Sequence, residues 1–386
     1  MAFFKNLFLI GVLIVATLLA ADFSASRIAL EPALRAACKA GEKIDERDRR
    51  DVVVELRQSD PNWFPAVPAN TYLENRLTAV DATRVVPLGG VANAQVVGCN
   101  DSGYFSTFPT DEYGFNNPHD AWEERPGKKV FFVGDSFTQG DCRRQGESIV
   151  DRVRAAVPGI INLGSGGNGP LLELAGIREY VTSGAVAQVV WMYTEVNDLQ
   201  DLKRDMRNEV LVKYLDPQFS QRLRERRDDV NAIVRRYVEK LIADYLDSRP
   251  RFIPTLRTAV WHALHDGVFR LRQPAGQSPD EPFDIELFGR VLALAKAEVE
   301  AKGGQLIFVY LPEYNRFAGQ TISEPSSYRE QVLSLVARLH IRLVDIEPIV
   351  KNSPDPLALY PYRLTGHFNP EGAALVARVI ERAIRQ

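Results

Sequence analysis

The chain reads as an α/β protein whose main part is a parallel sheet covered on both faces by helices. Three observations carry that reading. From Lys128 onward, strand-like and helix-like stretches alternate; the strand-like runs are continuously apolar, as strands buried on both faces must be; and polar, glycine-bearing segments follow the ends of those runs. With 386 residues, 45% hydrophobic and 25% charged, and with 26 Gly and 23 Pro, composition is that of an ordinary globular protein with room for a large core. Lys and Arg number 47 against 50 Asp and Glu, a formal charge of −3, so no basic field exists to hold a nucleic-acid backbone.

Taken in order, the first element is an uncharged, mostly apolar run from Leu7 to Ala21, preceded by Lys5 and closed by Asp22. Residues 1–26 are therefore expected to be a signal peptide or a membrane anchor. The run is shorter than the ~20 residues that span a bilayer comfortably, which favours a signal peptide. Small residues for cleavage appear only at Ser24 and Ser26, past Asp22 and Phe23, which favours an anchor. Lys5 ahead of the run places the rest of the chain outside the inner membrane, in the periplasm or exported. Residues 27–126 form an extension with an amphipathic stretch up to Arg50 and β-prone pieces at 51–56 and 84–97, and no chemistry can be assigned to it.

The main domain is expected over 127–386. It opens with the strand KVFFVG, a helix near Ser148 to Ala156, the strand GIINL, a helix from about Pro170, and the strand AQVVWMY. An insertion follows at about 200–280, in which Val230, Ile233, Val234, Tyr237, Leu241 and Tyr245 recur at helical spacing, as in a helical cap. A helix around Ile285 to Lys302, the strand GQLIFVYLP, a helix around Tyr328 to Leu339 and the strand RLVDI complete the alternation. Asn369 as N-cap and Pro370 at the first helical position mark the start of a final helix.

Three cysteines, Cys38, Cys99 and Cys142, are too few and too scattered for a zinc framework, and no metal or cofactor is expected. In an oxidising compartment Cys99 and Cys142 can pair, tying the extension to the first loop of the main domain; three unrelated buried thiols are the alternative.

Ser136, in GDSFTQG, stands at the carboxyl end of the first main strand, where open α/β sheets place their ligand crevice. A hydroxyl is a weak nucleophile until a base takes its proton, and His367, in LTGHFNPEG just ahead of the final helix, is the candidate base. His119, His262, His265 and His340 read as structural or surface residues. The second strand is followed by NLGSGGNGP and the third by TEVND. Gly167 can bring a backbone N–H close to a substrate, and Asn197 can donate a side-chain amide hydrogen, so both suit an oxyanion hole.

These four segments resemble the signature blocks of the SGNH/GDSL hydrolase superfamily over about Lys128 to Gln386. The resemblance implies a flavodoxin-like three-layer α/β/α fold and serine esterase or acyltransferase chemistry. Ser136 would be the nucleophile, His367 the base, and the Ser136 N–H, Gly167 and Asn197 the oxyanion donors. Two positions depart from the family pattern. Glu195 occupies the glycine position of the usual Gly-x-Asn-Asp block, and Leu364 and Thr365 stand where the last block usually carries an Asp ahead of its His. The expectation is therefore a Ser-His dyad oriented by Thr365 or by a backbone carbonyl, or an acid recruited from elsewhere, with Asp345 at the end of the last strand as the candidate.

The expected substrate is a small acyl ester, acetyl first, of an envelope or extracellular carbohydrate. Two rivals remain. GSGGNG from Gly164 to Gly169 also satisfies G-x-G-x-x-G, a dinucleotide fingerprint, but that reading leaves GDSFTQG, Asn197 and GHFNPEG without a role. The missing acid suits a glycan-binding protein that keeps the fold without turnover.

Overall fold

The computed structural model describes residues 43–74, 85–123, 127–248 and 282–386, together with Gly41. The apolar N-terminal run, Cys38, His262, His265 and residues 249–281 of the insertion lie outside the described residues. Among the described residues, no helix is long and apolar enough to cross a membrane. The chain divides into two compact units, 1–44 with 241–282, and 45–240 with 283–386. The second unit carries both sheets and the site described below.

Its extension segment builds a small sheet from β1 (Trp63–Pro65), β2 (Gln95–Val97) and β3 (Thr107–Pro109), with β1 parallel and β3 antiparallel to β2. Ala66, Val96 and Phe108 form its buried cluster. Beyond the paired residues, Gly98 donates to the Ser106 carbonyl at 2.8 Å and Ser106 back to the Cys99 carbonyl at 3.0 Å, so residues 99–106 are the loop of a hairpin. The piece at 51–56, expected to be extended, is helical: α1 spans Arg49–Leu56, with Asp48 as N-cap and Val52 and Val53 buried. Tertiary burial of Val52 and Val53 overrides their strand preference.

The main sheet has five parallel strands, β4 (Lys129–Gly134), β5 (Ile160–Asn162), β6 (Val186–Thr194), β7 (Gln305–Leu311) and β8 (Arg342–Asp345). Their order is β5-β4-β6-β7-β8. Counted within the sheet this is 2-1-3-4-5, the flavodoxin-like order, whose switch point lies between β4 and β6.

Alternate side chains serve opposite faces. On one face Val130, Phe132, Val190, Met192, Ile307 and Val309 share a core with Ile149, Val150 and Val153 of α2 (Ile149–Ala156) and with Val376 and Ile380 of the C-terminal helix Pro370–Arg385. On the other, Tyr193 and Phe308 meet Phe288 of the helix Ile285–Ala301, with ring centroids 5.5 Å apart for Tyr193 and Phe288. The central strands β6 and β7 thus lie between two helical layers. Within the insertion the helical spacing corresponds to a helix over Arg227–Ser248.

Candidate active site

β4 ends at Gly134, whose φ of +153° and crowding leave no room for a side chain: a Cβ would lie 2.1 Å from Thr138 Oγ1 and 2.9 Å from the Met192 carbonyl. The turn that follows is closed by Asp135, whose carboxylate accepts the Phe137 N–H at 2.9 Å and so caps a single helical turn over Ser136–Gln139. Ser136 is thereby held half-buried at the switch point.

His367 arrives from the other end of the chain. Asn369 caps the final helix through the Gly372 N–H at 2.9 Å, and the histidine sits two residues ahead of that cap. Its Nε2 lies 2.7 Å from Ser136 Oγ. Its Nδ1 lies 2.7 Å from Asp101 Oδ2, which also accepts the His367 backbone N–H at 3.1 Å. A carboxylate can only accept, so Nδ1 carries the proton, and the Nε2 lone pair faces the serine hydroxyl. Gly366 lets the carboxylate in, since a Cβ there would stand 3.1 Å from Asp101 Oδ2.

The partner of Nδ1 is thus neither Asp345 nor Thr365 but the carboxylate of Asp101, from the β2–β3 hairpin loop. Asp345, at the end of β8, is engaged elsewhere: its carboxylate accepts from Arg329 at 2.5 Å. Thr365 does not supply the partner of Nδ1, because the carboxylate occupies that place. The sequence did hold a signal for Asp101. It lies two residues after Cys99, and Cys142 lies six after Ser136, so pairing those cysteines brings Asp101 to the loop that carries Ser136. Cys99 and Cys142 are joined as a disulfide, with Cα atoms 4.6 Å apart.

Electrostatics couple the pair. Burial alone would push the His367 imidazole down, but the Asp101 hydrogen bond and charge outweigh it, with Asp135 and Asp141 adding to the pull, and its pKa is raised. The Asp101 carboxyl, pushed up by burial, is held below the usual carboxylate range by the hydrogen bond and charge of His367. The Sγ atoms of Cys99 and Cys142, with Asp101 and His367, place donor atoms within 4.8 Å of one another. Joined as a disulfide, the sulfurs are not thiolates, and the remaining two donors bind each other; the arrangement suits proton relay better than a metal.

Gly167 and Asn197 lie in the loops after β5 and β6. Gly167 has φ +65°, and a Cβ would fall 2.1 Å from Asn70 Nδ2; its carbonyl accepts from Arg204 at 2.6 Å. Asn197 donates from Nδ2 to Asp135 Oδ2 at 3.2 Å and to Asp201 Oδ2 at 2.9 Å, while its buried Oδ1 has no partner. The structure therefore brings Asn197 beside the residue preceding Ser136, but with both amide hydrogens held by carboxylates. Burial pushes Asp201 up to about 6.

Glu195, at the glycine position of its block, is fully buried. It accepts from Arg316 Nε at 2.8 Å, from the Glu313 N–H at 2.7 Å and from the Tyr310 hydroxyl. The glycine's place is taken by an anchor for the loop after β7. GSGGNG is likewise filled from within. Asp205 Oδ2 accepts the Leu171 and Leu172 N–H groups at 3.2 and 3.4 Å, at the start of the helix Pro170–Tyr180. The helix end that would receive a pyrophosphate already holds an acid of the chain itself, against the dinucleotide reading.

No protein-family model and no curated protein matches the chain. Solved structures do. A member of the lipolytic protein G-D-S-L family from Veillonella parvula DSM 2008 is 12% identical, with TM-score 0.36 and coverage of 67% of this chain and 100% of that one. An acetyl xylan esterase, AlAXEase, is 14% identical, with TM-score 0.37 over 66% of this chain and 98% of that one. An alpha/beta hydrolase enzyme from the metagenome of Lake Arreo, Spain, is 14% identical, with TM-score 0.38 over 67% and 95%. By its four blocks, its parallel sheet order and the residues placed at the sheet's switch point, the chain resembles the SGNH/GDSL hydrolase superfamily and has that superfamily's α/β architecture.

Proposed function

We propose that the chain is a serine esterase in which Ser136 is the nucleophile, His367 the general base and Asp101 the acid that orients and charges the base. The observation that carries this is the unbroken relay, 2.7 Å from Ser136 Oγ to His367 Nε2 and 2.7 Å from Nδ1 to Asp101. As Oγ attacks an ester carbonyl, Nε2 takes the serine proton, and Asp101 stabilises the imidazolium that forms. The negative oxygen of the tetrahedral intermediate is received by the Ser136 and Gly167 N–H groups and by Asn197, whose amide turns one hydrogen from Asp201 toward it. The imidazolium then protonates the departing alcohol, leaving an acyl-serine. Water attacking that ester, with His367 again as base, releases the acid; a sugar hydroxyl attacking instead completes an acyl transfer.

The substrate class we propose is a small acyl group, acetyl first, on an envelope or extracellular carbohydrate hydroxyl. The location is supported by the N-terminal apolar run behind Lys5, of the kind export signals and anchors carry, and by a disulfide suited to an oxidising compartment. An alkaline phosphatase fusion after Gln386 is expected to be active and a cytoplasm-dependent reporter silent, and the reverse would contradict the location.

The chemistry is tested by acetate release from a panel of acetylated glycans and by fluorophosphonate labelling of the full chain. Wild type is expected to release acetate and to be labelled at Ser136, and Ser136→Ala to do neither. A glycan-binding protein without turnover would bind the panel and leave the label unreacted.

A further inference from the structure

We propose that the Cys99–Cys142 disulfide and Arg143 are positioning residues for the Asp101 carboxylate, so that turnover depends on the disulfide remaining oxidised. This rests on the esterase reading above. Asp101 belongs to no strand or helix of the main domain; it rides on a hairpin loop whose sheet pairing ends at Gly98 and Ser106. What fixes it is a set of ties to the loop that follows the nucleophile. Cys99 is bonded to Cys142, and its N–H donates to Asp141 Oδ1 at 2.9 Å. The Cys142 N–H donates to Ser106 Oγ at 3.2 Å. Arg143 Nη2 donates to the hydroxyl of Ser102, the residue after Asp101, at 2.7 Å. On the histidine side the Tyr362 hydroxyl donates to the Ser102 carbonyl at 3.0 Å.

Two features connect these ties to the site. Cys142 holds φ +65°, an uncommon conformation for a residue with a side chain, and one that places its Sγ 3.2 Å from His367 Nδ1. The disulfide therefore packs against the edge of the Asp101–His367 hydrogen bond. Arg143 is a buried cation, 3% exposed, whose Nε and Nη1 have no partner. Burying an incompletely satisfied guanidinium costs free energy, and such local costs are expected at functional sites. Here it anchors the Asp101 loop through Ser102, and its charge, bearing on Asp101, favours the ionised carboxylate.

Reduction by a dithiol supplies two electrons and two protons, cleaves the S–S bond to two thiols and converts the reductant to its cyclic disulfide. Cys99 and Cys142 are then separate, and the loop keeps only its hydrogen bonds. A carboxylate displaced by about 1 Å costs on the order of a hundredfold in rate.

The experiment compares 4-nitrophenyl acetate turnover by the full chain in detergent, before and after dithiothreitol and after reoxidation, with that of Cys99→Ser/Cys142→Ser, Arg143→Lys and Arg143→Met. Reduction is expected to lower kcat by roughly ten- to a hundredfold, reversibly, with KM within about twofold. The acid limb of kcat/KM should move to lower pH, as in Asp101→Asn, because His367 loses its strongest partner while Asp135 and Asp141 still face it. In an Asp101→Asn background the cysteine pair should have no further effect on kcat, and Arg143→Lys should retain more turnover than Arg143→Met. Unchanged kcat and acid limb on reduction, or cysteine effects that add fully to Asp101→Asn, would overturn the inference while leaving the esterase reading intact. Turnover surviving in Ser136→Ala would sink that reading and this inference with it.

Discussion

Ser136 and Asp101 stand at opposite ends of one relay but are placed by different physics. Ser136 is placed by the sheet: β4 lies between β5 and β6, its side chains buried on both faces, and the strand can end only where Gly134 and the Asp135 cap allow. Asp101 is placed by cross-links between segments remote in sequence, a disulfide spanning 43 residues and a hydrogen bond spanning 266. A group held by a packed sheet should tolerate loss of any one surface contact. A group held by cross-links should not. The difference orders the expected effects of substitution.

The largest belongs to Ser136, held by the sheet. Ser136→Ala should lower turnover by about a millionfold with unchanged circular dichroism, since the fold does not depend on the hydroxyl. Near-normal acetate release from that variant would remove the nucleophile. Among the residues at strand ends, Asn197, held at the end of β6, comes next. Asn197→Ala should cost about 10² to 10³ in kcat, the loss of one oxyanion donor, with a smaller change in KM. An unchanged kcat would mean that the amide stays on Asp135 and Asp201 through the reaction.

Arg316→Met should act on stability rather than on chemistry. It leaves Glu195 buried with the Tyr310 hydroxyl and the Glu313 N–H but without its cation, at a cost of about 3 kcal/mol. Thermal denaturation measures it, and a shift within error would show that Glu195 is not the loop's anchor. The smallest effect is expected at Asp345, whose carboxylate pairs with Arg329 and not with His367. Asp345→Asn should leave turnover unchanged and cost about 1 kcal/mol or less; a loss of orders of magnitude in kcat would return it to the site.

The same contrast explains what could be read from sequence. All five main strands were legible because continuous apolar runs such as FFV in β4 and LIFVYL in β7 have few alternatives to a doubly covered strand. The Asn369-Pro370 start of the last helix was legible because cap chemistry is local. Gly167 and Asn197 could be assigned to strand ends, but not the carboxylates that hold the Asn197 amide, which come from Asp135, 62 residues away, as well as from the neighbouring Asp201. In the extension, the β-branched run at 52–54 reads as a strand until Asp48 caps it as a helix. Asp101 follows no periodicity and belongs to no block. Only the cysteine pairing, combined with the absence of an acid beside His367, points to it.

The measurement that bears most directly on the whole account is the pH dependence of kcat/KM for wild type and Asp101→Asn on one acetyl ester. A base must be neutral to accept the serine proton, so activity rises with pH through the His367 pKa. Asp101 raises that pKa, and its loss leaves burial to lower it. The account predicts that Asp101→Asn lowers the plateau by about 10⁴ and moves the acid limb to lower pH. A plateau within a few-fold of wild type, with the limb unmoved, would contradict it.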